Sequence, residues 1–233
     1  MADTQLLDNP IWNALNTDHR HLSIGDSLAR SYLGEIGPLS ATANQSPQAY
    51  ESLRALAGSS GVLALFLEQP PVPQAGWSLV RDGQLSQMIY LDSDPPVSSP
   101  LSSAAELRAL TSSDVPSMID LAKLTEPGPF RRRTCELGVF YGIFEAGRLL
   151  AMAGQRMHIP GFVEVSAVCS HPDARGRGYA RAVISAVIAN ILERGKTPIL
   201  HVFSDNHPAI RVYQGLGFSE RRVLHLAVLK NDR

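Results

Sequence analysis

The stretch "FVEVSAVCSHPDARGRGYARAVISAVIANILERG", residues 162 to 195, constrains this chain more than any other. A Val-rich run suited to a central strand leads into a loop holding two glycines and two arginines. Ala180, Val183, Ile184, Val187, Ile188, Ile191 and Leu192 then recur at helical spacing, and Gly195 supplies a C-terminal stop. A strand that ends at Cys169 or Ser170 and enters a helix near Gly178 points a fan of unpaired backbone N–H groups outward, which makes an anion site. Gly176 and Gly178 let the backbone approach a bulky phosphate and take positive φ, while Arg175 and Arg177 add charge suited to a pyrophosphate. A solvated basic turn has the same composition, so the loop alone leaves both readings open. It lacks the Gly-Lys-Ser/Thr ending of a triphosphate loop, and "GRGYAR" lacks the third glycine of the dinucleotide fingerprint.

Composition narrows the partners. The chain is 44% hydrophobic and 18% charged over 233 residues, the make-up of a globular protein with one large domain or two small ones. With 21 basic and 22 acidic residues, no global field draws it to nucleic acid or an anionic membrane. Cys135 and Cys169 are too few for a disulfide framework or a thiolate metal site. "MADTQLLDNP" is polar where a signal peptide is basic and then apolar, and the apolar run "GVLALFLE" is far short of a membrane span. These features predict a cytoplasmic protein.

Along the chain, the Pro/Ser-rich segment at residues 92–102 reads as a linker. It predicts a smaller N-terminal α/β domain at 1–91, of packing or dimerising role, which leaves room for a homodimer. That part holds a helix at 46–57 followed by Gly58, the short strand "VLALFLE" and a loop, "QPPVPQAGW". The C-terminal part, 103–233, reads as a hairpin turning at Glu145, Ala146 and Gly147, then strand, helix, strand, short helix and strand. Ser204, Asp205 and Asn206 are capping candidates for the short helix, with Pro208 in its first turn. The fold class is therefore α/β (α+β), with a mixed central sheet and flanking helices.

"RGRGYA" resembles the Arg/Gln-x-x-Gly-x-Gly/Ala signature of the GNAT superfamily of N-acetyltransferases, with Arg175, Gly178 and Ala180 at its defining positions. "HVFSDNHPAIRVYQGLGF" is similar to the next strand and helix of that superfamily, matching at Asn206, Ala209, Tyr213, Gly217 and Phe218. Two motifs in the right order are far more specific than either alone. The resemblance covers about residues 103–233 and is nearest to the FR47-like branch.

The resemblance implies acetyl-CoA as acyl donor and an amine as acceptor; no metal is expected, because no histidine or cysteine falls in a ligand pattern. Amide groups from Arg177, Gly178, Tyr179 and Ala180, with Gly176 in the turn, are expected to hold the pyrophosphate. The strand edge Val168–Cys169–Ser170 is expected to pair with the pantetheine amides, with the Val168 N–H as oxyanion donor, a role worth on the order of 3 kcal/mol. Asn206 and Ala209 belong to the helix beside the pantetheine arm, Asn206 as a hydrogen-bonding partner. The implied reaction is direct attack of the amine through a tetrahedral intermediate. Glu164 is the candidate base and Tyr213 the candidate acid for the departing thiolate. A paired, partly buried carboxylate and a packed tyrosine are the competing readings of those two residues.

Other polar groups take plainer readings. No histidine falls in a metal-ligand pattern, His171 belongs to the turn of the loop, and Cys169 is as well explained by a small buried thiol. "FRRR", residues 130–133, lies where family members bind the acceptor, or is a solvated basic loop. A small-molecule acceptor is the first expectation. A protein lysine or N-terminal acetyltransferase and a non-catalytic acyl-CoA sensor are the alternatives.

Overall fold

The computed structural model describes residues 3–57, 61–97 and 100–232; Gly58, read as the end of the first helix, and part of the predicted linker lie outside them. An eight-stranded sheet dominates, in the order β4-β11-β5-β10-β9-β8-β7-β6. Its strands are β4 (Val62–Leu67), β5 (Trp77–Tyr90), β6 (Glu106–Ala109), β7 (Phe140–Glu145), β8 (Arg148–Ile159), β9 (Phe162–Ser170), β10 (Thr197–Phe203) and β11 (Phe218–Asn231). A separate three-stranded sheet is made by β1 (Ser23–Gly25), β2 (Ala29–Tyr32) and β3 (Ser40–Thr42). The helices are α1 (Pro10–Asn16), α2 (Pro47–Ala57), α3 (Val115–Thr125), α4 (Tyr179–Glu193) and α5 (His207–Gln214).

The C-terminal elements follow the expected order. β7 and β8 form a hairpin closed by Ala146 and Gly147. β9 and β10 run parallel, joined by α4, the geometry a helical crossover produces. Val183, Ile184, Val187, Ile188 and Ile191 of α4 are fully buried against one face of the sheet, where each contributes roughly 1.5–3 kcal/mol. On the opposite face, α1 and the first residues of the chain cover β8 to β11, and α3 covers β7 and β8. α2 begins where expected: the Ser46 Oγ accepts from the Ala49 N–H at 3.3 Å.

The expected division at 92–102 does not separate two sheets. β5 lies between β10 and β11, and β4 pairs with the other edge of β11, so residues 62–90 complete the C-terminal sheet. β11 pairs with β5 from Phe218↔Tyr90 to Asn231↔Trp77, so the last strand of the chain has an N-terminal partner along its whole length. The rest of the N-terminal region forms the small sheet and the helices α1 and α2, and both helices pack on the large sheet. "WSLVRDGQLSQMIY" carries Asp82-Gly83 in its middle, a pair common in turns. In the fold Gly83 stays in the strand because the Phe203 ring sits against it, 3.0 Å from where a Cβ would stand.

Candidate active site

The site opens where two strands part. β9 pairs with β10 only from Phe162↔Thr197 to Glu164↔Ile199, whereas on its other edge it stays with β8 as far as Ser170↔Ala151. Residues 165–170 therefore carry one open edge, as expected for the segment Val168–Ser170. The β8–β9 register slips between Met152 and Gly154, and Ala167 opposite this slip takes φ 51°, a conformation that costs a non-glycine residue energy. The Ser170 Oγ is buried without a hydrogen bond among the described residues, an unsatisfied group of the kind a bound ligand relieves. Val168 packs toward α4. Cys169 points the other way, into the α3 cluster, where burial pushes its thiol up to about 11 despite a hydrogen bond with Thr125. Of its two readings, the small buried thiol is the one this environment matches.

Beyond Ser170, His171 caps a single 3-10 turn, Pro172–Ala174, its Nδ1 accepting from the Asp173 N–H at 3.1 Å. Gly176 at φ 74° and Gly178 at φ 77° then turn the backbone into α4. A Cβ at either would meet nothing within 4 Å, so these positions need glycine for conformation and not for space. No side chain caps α4, and the first helical bond is Ala182 N–H to Gly178 O at 3.1 Å. The N–H groups of Tyr179, Ala180 and Arg181 are thus unspent at the positive end of a fifteen-residue helix.

The two loop arginines differ. Arg175 is exposed and has no side-chain partner among the described residues. Arg177 is bound on two sides, donating from Nη1 to Glu145 Oε2 at 3.0 Å and lying 4.7 Å over the Tyr179 ring. Tyr179 itself is buried and its hydroxyl donates to the same Glu145. Arg177 therefore ties the β7–β8 hairpin to the loop, and the free positive charge expected of the pair belongs to Arg175.

On α5, the Asn206 Oδ1 accepts from the Ala209 N–H at 3.2 Å, so this side-chain oxygen is spent on the helix cap. Ala209 and Tyr213 pack onto the α4-side core. The Tyr213 ring stands edge-on to Phe218 at 6.1 Å, burial pushes its hydroxyl up to about 12, and that hydroxyl has no hydrogen-bond partner among the described residues.

Glu164 lies at the centre of a buried polar chain. Its Oε2 accepts from Arg156 Nε at 2.7 Å and its Oε1 from Arg156 Nη2 at 2.5 Å. His201 Nδ1 meets Oε1 at 2.7 Å, while Gln87 Nε2 contacts His201 Nε2 at 2.9 Å and the Leu7 carbonyl at 2.8 Å. Arg221 Nη1 donates to Gln87 Oε1 at 2.8 Å, and Nη2 to Asp8 at 2.7 Å. The direction of every bond follows. Because Arg221 only donates, Gln87 accepts through Oε1 and donates through Nε2; His201 Nε2 then accepts, and Nδ1–H donates to Glu164. Burial alone would raise the Glu164 carboxyl, but the Arg156 charge and the bonds from Arg156 and His201 outweigh it and hold it at about 2. The expected base is thus a fully buried carboxylate with both oxygens engaged, matching the competing reading of a paired glutamate.

Arg156, His201 and Gln87 were not among the expected site residues. A lone arginine in "LLAMAGQRMHI" and a lone histidine in "PILHVF" were the available signals, since such residues inside apolar strands require buried partners. Arg156 also borders a cleft by the β9 slip, together with Phe130, Phe140, Ser166 and Ala167. In "FRRR", Phe130 faces that cleft, while Arg131 donates to the Gly34 carbonyl and Arg133 pairs with Glu136 at 2.7 Å and Glu35 at 3.3 Å. Two of the three arginines therefore clasp the N-terminal loop.

Known proteins resemble this arrangement. The family model for FR47-like proteins matches residues 140–226, from β7 into β11. A mycothiol acetyltransferase of Actinosynnema mirum is 37% identical over 83 residues, which is 35% of this chain and 28% of that protein. The chain thus matches little more than a quarter of that relative's length. A solved GNAT-family protein from Novosphingobium aromaticivorans, described as an acetyltransferase, is 38% identical, with 97% of this chain and 99% of that one covered at a TM-score of 0.87. A GCN5-related N-acetyltransferase from Kribbella flavida shares the fold at 15% identity, with 96% of each chain covered and a TM-score of 0.63.

Proposed function

This chain belongs to the GNAT family of acetyltransferases, and from that membership we propose that it moves an acetyl group from acetyl-CoA to a primary amine of a small molecule. The observation that carries the reading is the open edge of β9 from residue 165 to 170, followed directly by the uncapped N-terminus of α4. An extended amide-bearing arm fits the edge, and a pyrophosphate fits the helix end. The unsatisfied Ser170 Oγ supports the same occupant. Acetyl-CoA supplies the activated acyl group. Val168, Cys169 and Ser170 hold its arm through backbone groups, with the Val168 N–H facing charge that develops on the thioester oxygen. Gly178, Tyr179 and Ala180 hold its phosphates through N–H groups, with Arg175 as the adjacent charge. The cleft beside Phe130 and Ser166 and the similarity to proteins named mycothiol acetyltransferase favour a small acceptor. Calorimetric titration with acetyl-CoA, then thiol release with a panel of primary amines, tests the reading; absence of binding overturns it.

Tyr213 keeps its proton throughout the neutral range, since burial holds it at about 12. Full transfer to a thiolate whose acid titrates near 8.5 would be uphill by roughly 5 kcal/mol, so its part is a hydrogen bond to the departing sulfur. Tyr213→Phe is expected to lower kcat about tenfold or more with little change in acetyl-CoA affinity, because the contact exists only in the transition state. A wild-type rate would return Tyr213 to packing alone.

Glu164, at about 2 and doubly engaged, is a poor proton acceptor, so the amine proton leaves through water in the cleft. Glu164→Gln leaves the Arg156 charge buried without its counter-ion and is expected to cost about 3–5 kcal/mol of stability by denaturant unfolding. Its activity loss is expected to stay constant with pH. Recovery of rate as pH rises and free amine accumulates would restore Glu164 as the base.

A further inference from the structure

Arg156 has a donor to spare. Nε and Nη2 are bound to Glu164, while Nη1 has no hydrogen-bond partner among the described residues, and the side chain is 21% exposed at the cleft. The other polar groups of the cleft are mostly committed. Thr134 Oγ1 donates to the Ile36 carbonyl at 2.7 Å, and Gln155 bonds Asn190 through Nε2 and the Val139 N–H through Oε1. Phe130 and Phe140 supply apolar wall. Resting on the acetyl-transfer reading above, we propose that Arg156 Nη1 donates to an uncharged oxygen of the acceptor, a carbonyl or hydroxyl, and that this bond selects which amines are used.

The oxygen is uncharged because the guanidinium already has its counter-ion. Glu164 balances Arg156 at 2.5 Å, and the remaining residues named at the cleft are neutral. A carboxylate brought there would lose its hydration and meet a neutral pair, with no net positive charge to repay the loss. A carbonyl or hydroxyl costs far less to desolvate and still receives a charge-assisted bond. The donor is also held in advance. Arg156 cannot swing without breaking both bonds to Glu164, Glu164 is fixed by His201, and His201 by Gln87 of the N-terminal strand β5. A donor fixed before binding adds little ordering cost when the acceptor arrives.

The test uses the intact chain and matched primary amines: 2-amino-1-phenylethanol against 2-phenylethylamine, further pairs that exchange a carbonyl or hydroxyl for a methylene, and analogues with a carboxylate in its place. Rates are corrected to the concentration of free amine. Within pairs, kcat/KM is expected to favour the oxygen-bearing member by roughly 10- to 100-fold, with the carboxylates poorest. In Arg156→Lys that preference is expected to fall toward unity while acetyl-CoA affinity is kept. Equal values within pairs in the wild-type protein, or preference for the carboxylate, would overturn the proposal and leave acetyl transfer standing. Transfer to no amine at all by protein that binds acetyl-CoA would overturn both. Equal or reversed wild-type ratios overturn the proposal even if the variant fails to fold.

Discussion

Gly178→Glu is expected to abolish measurable acetyl-CoA binding, a loss of roughly a hundredfold or more in affinity. Two effects add. Gly178 sits at φ 77°, where any side chain is strained, and relief of that strain would re-aim the N–H groups of Tyr179, Ala180 and Arg181. The carboxylate also places negative charge at the positive end of α4, where phosphate would sit. Steric clash is not the cause, since a Cβ there meets nothing within 4 Å. Gly178→Asn separates the effects: asparagine tolerates the left-handed region and carries no charge, so most affinity should survive. Calorimetry on folded protein reads both variants. Unchanged affinity in Gly178→Glu would remove the loop from the cofactor site.

The second large effect is acid loss of stability centred on His19 and His158, whose rings stack at 4.8 Å between the α1 region and the end of β8. Burial, with the neighbouring His158, lowers His19 to about 3; burial, with the Lys196 charge, lowers His158 to about 4. Asp18 opposes both shifts, and His158 Nε2 is buried without a partner among the described residues. Both groups are depressed in the folded state, so the unfolded chain binds their protons first. Stability is complete above the ordinary value of 6.5 and declines as pH falls from there toward about 4. With two protons taken up on unfolding, the slope approaches about 2.7 kcal/mol per pH unit. Glu164 acts lower: its depressed carboxyl contributes stability above 4.5 and loses it only as pH falls toward about 2. Denaturant unfolding between pH 7.5 and about 4.5 should therefore show the histidine slope alone, and His158→Leu should halve it. A flat profile, or an unaltered slope in His158→Leu, would refute the assignment.

Local chemistry was the legible part of this molecule. The fan of N–H groups at α4 depends on Gly176, Gly178 and the apolar spacing of one helix, all within a single stretch of chain. The cap at Asn206, the hairpin turn at Ala146–Gly147 and the alternation of strands with helices are legible for the same reason: each is decided by residues a few positions apart. Together with the order of two motifs they were enough for the family.

Contacts between distant segments were not legible. Glu164 was a candidate base through the resemblance alone, and nothing near it in sequence marks the partners that engage it. The fold brings Arg156 from the neighbouring strand and His201 from β10, and Gln87 behind them from β5. Arg177 reads in sequence as charge suited to a phosphate, and only the fold shows the β7–β8 hairpin setting Glu145 beside it. The place of residues 62–90 in the large sheet was hidden for the same reason, because backbone pairing of β11 with β5 and β4 leaves no mark in composition. The sequence by itself determined the glycine turn into α4 and the succession of elements, since backbone dihedrals and helical periodicity act over a few residues. Which charges remain free to do chemistry was decided only by the tertiary structure, because a buried charge is governed by the partner that folding carries to it.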